Sequence, residues 1–246
     1  MRPSLILAIA LPALALAGCN KKEEAGTTAA SPVAAGPTVA APSGGWEEQV
    51  AATPEGGIRM GNPDARGKLV EYASYTCPHC AAFDQEGLAE IRRYVGTGKL
   101  SYELRPFVRD PYDLTAALIA RCGGPQPFFR LTDQIYAQQQ EWIGNVQNMT
   151  PADQKRIQSL PQAQQFQALA RAMGLNAFAG QRGIPKAKAD QCLSDQAQQD
   201  RLVQIRNDAQ TKYQIEGTPT FLMNGDVIGS YEWAGLKPKL VAAMGG

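Results

Sequence analysis

The chain has 246 residues, with 24 Lys plus Arg against 23 Asp plus Glu, a single His and a formal net charge of +1. A balance this even argues against a polyanion binder and gives nucleic acid no place among the partners, because neutralising phosphates takes a basic excess or stripe. A hydrophobic content of 44% excludes a wholly disordered chain, one histidine excludes any site built from several, and five cysteines leave an odd one to explain.

The length allows one domain of about 200 residues or two small ones, enough in either case to bury a core. After Met1-Arg2, an apolar run extends from Leu5 to Ala17 and meets Gly18-Cys19. Such a run is too short to span a bilayer as a helix but suits the apolar part of a secretory signal, so residues 1–18 read as a signal peptide. Leu16-Ala17-Gly18-Cys19 resembles a bacterial lipoprotein box, in which cleavage leaves the cysteine N-terminal and acylated. Cys19 is therefore the expected lipidation site and the lipid anchor the expected route to a membrane; an ordinary signal peptide cut elsewhere is the alternative. Two or three acyl chains hold a protein firmly where one is marginal. Residues 19–45 read as a flexible tether, since 19 of the 26 residues from Asn20 to Gly45 are Ala, Gly, Ser, Thr or Pro without apolar periodicity.

Residues 46–246 read as the folded head. Lys68 to Tyr75 suggests a buried strand that enters Thr76-Cys77-Pro78-His79-Cys80. Ala81 to Val95 reads as a helix through Phe83, Leu88, Ile91 and Val95, ended by Gly96 to Gly98. Leu100 to Phe107 alternates as a second strand, so strand, helix and strand form a parallel crossover unit. Tyr112 to Tyr213 looks helical throughout. Leu114, Ala117, Leu118 and Arg121 open one helix; Phe166, Leu169, Ala170 and Met173 mark another, closed by Gly174; Leu202, Ile205, Ala209 and Tyr213 mark a third. The many glutamines here read as solvated helix faces. Thr220 to Met223 and Asp226 to Gly229, joined by Asn224-Gly225, give a strong hairpin signal. A last helix fits Leu236 to Met244 with Pro238 near its first turn. The head is thus a βαβ unit and a ββα unit with helices at about residues 112–213 between them.

Two cysteines separated by two residues, after a strand and opening a helix, are a redox signal. Cys77 sits where free backbone N–H groups and the helix dipole favour negative charge, so it is the expected nucleophile. Cys80, a turn inside, is the expected resolving thiol. His79 lies inside the motif and is expected to donate charge or a hydrogen bond to the Cys77 thiolate, the alternative being an exposed bystander. Metal binding competes for any such pair, but two thiolates fill only half a tetrahedral zinc shell; no metal site is expected.

The strand Glu71-Tyr72-Ala73-Ser74-Tyr75-Thr76, the Cys77-Pro78-His79-Cys80 motif, the helical insertion and Gly217-Thr218-Pro219-Thr220-Phe221 together resemble the DsbA-type thiol:disulfide oxidoreductases over roughly Ile58 to Met244. The resemblance implies an α/β thioredoxin fold with an inserted all-helical subdomain, and a strongly depressed pKa at the first cysteine. It implies that Cys77 attacks and carries the mixed disulfide while Cys80 resolves it. Pro219 would be a cis-proline facing the dithiol, with Thr218 and Pro219 meeting substrate. Glu71 would be a buried acid relaying a proton for Cys80; a solvent-side strand glutamate is its alternative. Thr218 departs from the apolar residue of the best-known oxidases and is also found in isomerase-like members. Residues 45–58 are too few for the dimerisation module that such isomerases usually carry.

Cys122 and Cys192 are expected to form a second, structural disulfide, as in some relatives, with two buried free thiols as the alternative. The combined expectation is a monomeric, lipid-anchored enzyme on the periplasmic side of a bacterial cell envelope. It would introduce disulfides into reduced or unfolded exported proteins, need no soluble cofactor, and be reoxidised by a membrane partner of the DsbB type. An isomerase or reductase of the same fold is the first alternative, and a metal-binding lipoprotein the second.

Overall fold

The computed structural model describes residues 41–229 and 232–245; the signal peptide, Cys19 and nearly all of the tether lie outside the described residues. The tether's final residues close a turn, Gly45 N–H donating to the Pro42 carbonyl at 2.9 Å. A short 3₁₀ turn, Trp46–Glu48, follows and buries Trp46.

Two short strands come next, β1 (Val50–Ala52) and β2 (Ile58–Gly61), then β3 (Gly67–Ala73), helix α1 (Pro78–Gly96) and β4 (Leu100–Pro106). The insertion holds α2 (Pro111–Arg121), α3 (Phe128–Ala137), α4 (Gln139–Gln147), α5 (Pro151–Gln158), α6 (Gln162–Ala172), α7 (Leu175–Gln181), α8 (Lys186–Leu193) and α9 (Gln196–Tyr213). Strands β5 (Thr220–Met223) and β6 (Asp226–Gly229) and helix α10 (Trp233–Met244) complete the described chain. One sheet runs β1-β2-β4-β3-β5-β6, with β3 parallel to β4 and the other neighbours antiparallel. This is the architecture that the sequence implies: a βαβ half, a ββα half and helices inserted between them.

Local chemistry explains the boundaries. Asp110 caps α2, accepting from Tyr112 N–H and Asp113 N–H, with Pro111 in the first helical position where its missing donor costs nothing. Asn224 and Gly225 take φ of 53° and 97°, the left-handed values that a tight hairpin turn needs. In β4 the pleat sorts side chains: Tyr102 contacts Phe129 and Glu71 on one face, while Glu103 and Arg105 meet Tyr72 and Thr53 on the other. β3 is the central strand and all its residues but Lys68 are buried.

Four expectations need correction. The β1–β2 hairpin is absent from the sequence reading, because Val50-Ala51-Ala52 has too little alternation to announce a strand. Helix α1 starts at Pro78, since proline at the first position fits a helix start, and not at Ala81. Helix α10 starts at Trp233, three residues early, which places Pro238 inside the helix and not in its first turn. The glutamines are not all solvated: Gln139 and Gln199 are each 3% exposed, and Gln199 Nε2 donates to the Leu193 carbonyl at 2.9 Å.

Candidate active site

The end of β3 delivers Ser74 to Cys77 to the N-terminus of α1. Cys77 is the N-cap residue, with extended φ and ψ of −88° and 120°, and Pro78 opens the helix. Both Cys77 and Cys80 are free thiols, 3% and 0% exposed. Across from them the Thr218–Pro219 peptide is cis, and Cys77 Sγ lies 3.2 Å from the Thr218 carbonyl oxygen. The Thr218 hydroxyl is buried and has no hydrogen-bond partner in this dithiol form. A hydroxyl can rotate to suit, so it is a donor at hand when Cys77 ionises.

The two thiols are driven apart electrically. Cys77 is lowered to about 5, first by a hydrogen bond from the Cys80 thiol, then by the Thr218 hydroxyl and by the backbone N–H groups of Cys80 and His79; burial opposes this. Cys80 is pushed well above the ordinary thiol range by burial, and further by Cys77 and Glu71. One sulfur is thus an ionised nucleophile at neutral pH and the other a thiol that must lose a proton before it can attack. His79 is exposed, and it reaches Cys77 through its backbone N–H; its ring makes no hydrogen bond. The expected donation from the imidazole is therefore supplied by the peptide.

Glu71 is 2% exposed in the middle of the sheet, not on its solvent side, and accepts a hydrogen bond from Tyr102 Oη. Burial raises its carboxyl to about 8, against the Tyr102 bond, with Asp84 and Cys77 adding to the rise. Asp84, one turn beyond Cys80 on α1, is itself raised to about 7 by burial and by Asp133, with Arg92 opposing. The sequence pointed to Glu71 but not to Asp84, although its position four residues after Cys80 puts it on the same helix face.

The insertion supplies residues that sequence reasoning missed. The Asp113 carboxylate accepts from Ser74 Oγ at 2.6 Å, from Tyr75 N–H at 2.8 Å and from Arg109 N–H at 2.9 Å. Tyr136 Oη donates to the Ser74 carbonyl at 3.3 Å, and the Tyr75 and Thr132 hydroxyls are 2.9 Å apart. Gln139 Nε2 donates to the carbonyls of Tyr75 and Cys77 at 2.8 and 2.9 Å. The cysteine loop is therefore held from α2, α3 and α4 together. Asp113 could have been suspected as the third residue of a capped helix, but nothing local distinguishes Gln139 from Gln138 and Gln140.

Cys122 and Cys192 are joined by a disulfide, with Cα atoms 5.6 Å apart and a sequence separation of 70. It ties the end of α2 to the end of α8, away from the dithiol. Among the described residues, no group of three or more His, Cys, Asp or Glu could hold a metal ion, and no helix is long and apolar enough to cross a membrane.

The family model described as thioredoxin matches residues 53–240. The crystal structure of a protein-disulfide isomerase from Novosphingobium aromaticivorans is 36% identical and covers 76% of this chain and 97% of its own, with a TM-score of 0.72. Wolbachia pipientis alpha-DsbA1 is similar in fold, at 24% identity and a TM-score of 0.64 over 81% of this chain and 96% of its own. A curated relative from Rickettsia conorii, named for protein-disulfide oxidoreductase activity, is 30% identical over 174 residues, which are 70% of this chain and 54% of the relative. The chain thus spans about half the length of the curated relatives it matches.

Proposed function

Since the chain belongs to the thioredoxin family and has a DsbA-like fold, we propose that it is a thiol:disulfide oxidoreductase that oxidises exported proteins at Cys77 and Cys80. The observation that carries this is the opposed ionisation of the two thiols, Cys77 lowered to about 5 and Cys80 raised. A dithiol whose thiolate is strongly stabilised makes its disulfide a strong oxidant.

A substrate thiolate attacks Cys77 Sγ of the oxidised pair, forming a mixed disulfide and expelling Cys80 as a thiolate. Cys80 then takes a proton, and the buried Glu71 carboxyl, about half protonated near pH 8, is the group placed to exchange it. A second substrate thiolate attacks the substrate sulfur of the mixed disulfide, and Cys77 leaves as the stabilised thiolate. The substrate loses two electrons, the enzyme holds them as a dithiol, and a disulfide on a membrane partner of the DsbB type takes them back. Thr218 and Pro219 line the dithiol and would meet the substrate backbone. The roles of Cys77, Cys80, Glu71, His79, Thr218 and Pro219 are part of this proposal. So are a periplasmic location and an anchor at Cys19, which rest on the sequence of the first 45 residues, and a monomeric state.

A second reading has its own support. A threonine in the position of Thr218 is found in isomerase-like relatives, and the 36% identical structure is that of a protein-disulfide isomerase. The equilibrium of the Cys77–Cys80 pair with glutathione separates an oxidant from a reductant, and activity on a reduced against a scrambled substrate protein separates oxidase from isomerase. An oxidase is expected to stay reduced in equimolar reduced and oxidised glutathione. A pair that is mostly disulfide under those conditions overturns the oxidase reading in favour of a reductase.

A further inference from the structure

Resting on the proposed redox role of Cys77, we infer that Gln139 of the helical insertion is the positioning residue for that thiol, fixing it through the Cys77 and Tyr75 carbonyls. Gln139 stands at the junction of α3 and α4 and is 3% exposed. Its side-chain amide has two N–H bonds, and both are spent on the cysteine loop, at 2.8 Å to Tyr75 and 2.9 Å to Cys77. Two facing carbonyls can only be met by the NH₂ end, so the chemistry itself sets which way the amide points.

The Cys77–Pro78 peptide is unusual in what can hold it. Pro78 has no N–H, so the carbonyl is the only hydrogen-bonding handle on that peptide plane. It accepts from Ala81 N–H at a long 3.3 Å and from Gln139 at 2.9 Å. The orientation of the plane is the ψ angle of Cys77, 120° here, and that angle decides how Sγ stands to the N–H groups of His79 and Cys80. Those N–H groups are among the donors that stabilise the thiolate. Among the described residues the Tyr75 carbonyl accepts no other hydrogen bond, so Gln139 also closes the loop from its upstream side. A residue outside the motif, and outside the βαβ unit that carries it, thereby determines how well the motif holds a negative charge.

The test is ionisation of Cys77 in the reduced full chain, read from thiolate absorbance and from alkylation rate against pH. Gln139→Leu keeps the bulk and removes both donors. It should raise the Cys77 pKa by a unit or more from about 5, and slow its alkylation at pH 5 about fivefold. Leu169→Ala, a core change in α6 with no bond to the loop, supplies a destabilised insertion for comparison and should leave the Cys77 pKa in place. An equal shift in both variants makes Gln139 an ordinary structural residue and overturns the inference. If Gln139→Leu does not fold, the wild-type protein still decides. Its Gln139 side-chain N–H protons should exchange slowly and shift with the Cys77 titration; fast exchange with no shift overturns the inference. A wild-type Cys77 that ionises in the ordinary thiol range defeats the redox reading itself. A low wild-type value that Gln139→Leu leaves unchanged defeats this inference alone.

Discussion

The two cysteine pairs of this chain sit at opposite ends of helices. Cys77 caps the N-terminus of α1, where the peptide N–H groups of His79 and Cys80 point at its sulfur. Cys122 is the C-cap of α2, and Cys192 lies in the last turn of α8. Backbone carbonyl oxygens lie close to these sulfurs, Lys188 O at 3.5 Å from Cys122 and Cys122 O at 3.7 Å from Cys192. A helix N-terminus favours a thiolate and a helix C-terminus disfavours it. The first pair is therefore poised to hold electrons as a dithiol, and the second gains nothing from being reduced. Loop length works in the same direction, since one crosslink spans 70 positions while the other would close little more than a helical turn.

Breaking each pair should therefore damage a different property. Cys77→Ser should lower the rate of dithiol exchange with glutathione by at least about a thousandfold, because among the described residues no other sulfur is an ionised nucleophile at neutral pH. Cys122→Ser with Cys192→Ser should leave that rate within about twofold and instead lower the unfolding free energy by about 4 kcal/mol, the chain-entropy value for a separation of 70. Urea titration and stopped-flow exchange on both variants check the pair of statements. A stable double variant with slowed exchange would reverse the roles.

Glu71 sharpens the comparison, because the carboxyl proposed to serve the first pair burdens the fold. Its folded pKa of about 8 lies above its ordinary value of 4.5, so folding takes up a proton between these limits. Its contribution is then fully present below pH 4.5 and is lost as pH rises through about 8. Glu71→Gln can still accept the Tyr102 hydrogen bond but does not titrate. The oxidised variant should match wild type near pH 4 and exceed it at pH 7, by an amount on the order of 2 kcal/mol. Parallel stability curves would mean that Glu71 carries no such burden.

The sequence made one pair of sulfurs easier to place than the residues that tune them. Cys77 and Cys80 were legible because a strand, a tight motif and a helix start are local patterns, and the β5–β6 hairpin because Asn224-Gly225 selects its turn; the cis Pro219 was implied only by the family resemblance. Asp113 and Gln139 were not legible. Their partners Tyr75 and Cys77 lie 38 and 62 positions earlier in the chain, and only the packing of α2, α3 and α4 on the loop brings them there. Gln139 was hidden further by its neighbours Gln138 and Gln140, since a run of three polar residues reads as solvent-facing. His79 reaches Cys77 through its backbone N–H, a donor that any residue but proline would present there, so its identity bears only on what the exposed ring adds. Thr218 was legible as a position and not as a chemistry, because its free hydroxyl matters only once it is seen buried beside the Cys77 sulfur.

The smallest expected effect, and the most direct test of the comparison, is how each form of the first pair responds to pH. In a Cys122→Ser, Cys192→Ser background the only remaining redox change in the folded head is at Cys77 and Cys80. Reduction there creates a thiol whose folded pKa of about 5 lies below its ordinary value of 9. A depressed pKa contributes stability that is fully present above pH 9 and lost as pH falls through 5, so the reduced protein should gain on the oxidised one as pH rises between these limits. Glu71 titrates in both forms, so its own slope largely cancels in the difference. The gain should be on the order of 1 kcal/mol at pH 7. Short-loop entropy favours the disulfide and opposes it, so the slope with pH is more informative than the sign at any single pH. Paired denaturant curves of the oxidised and reduced variant at pH 5, 7 and 8 measure it directly. A difference that stays flat would mean that neither the Cys80 thiol, the Thr218 hydroxyl nor the helix N-terminus holds the Cys77 charge, and the contrast between the two pairs would lose its physical basis.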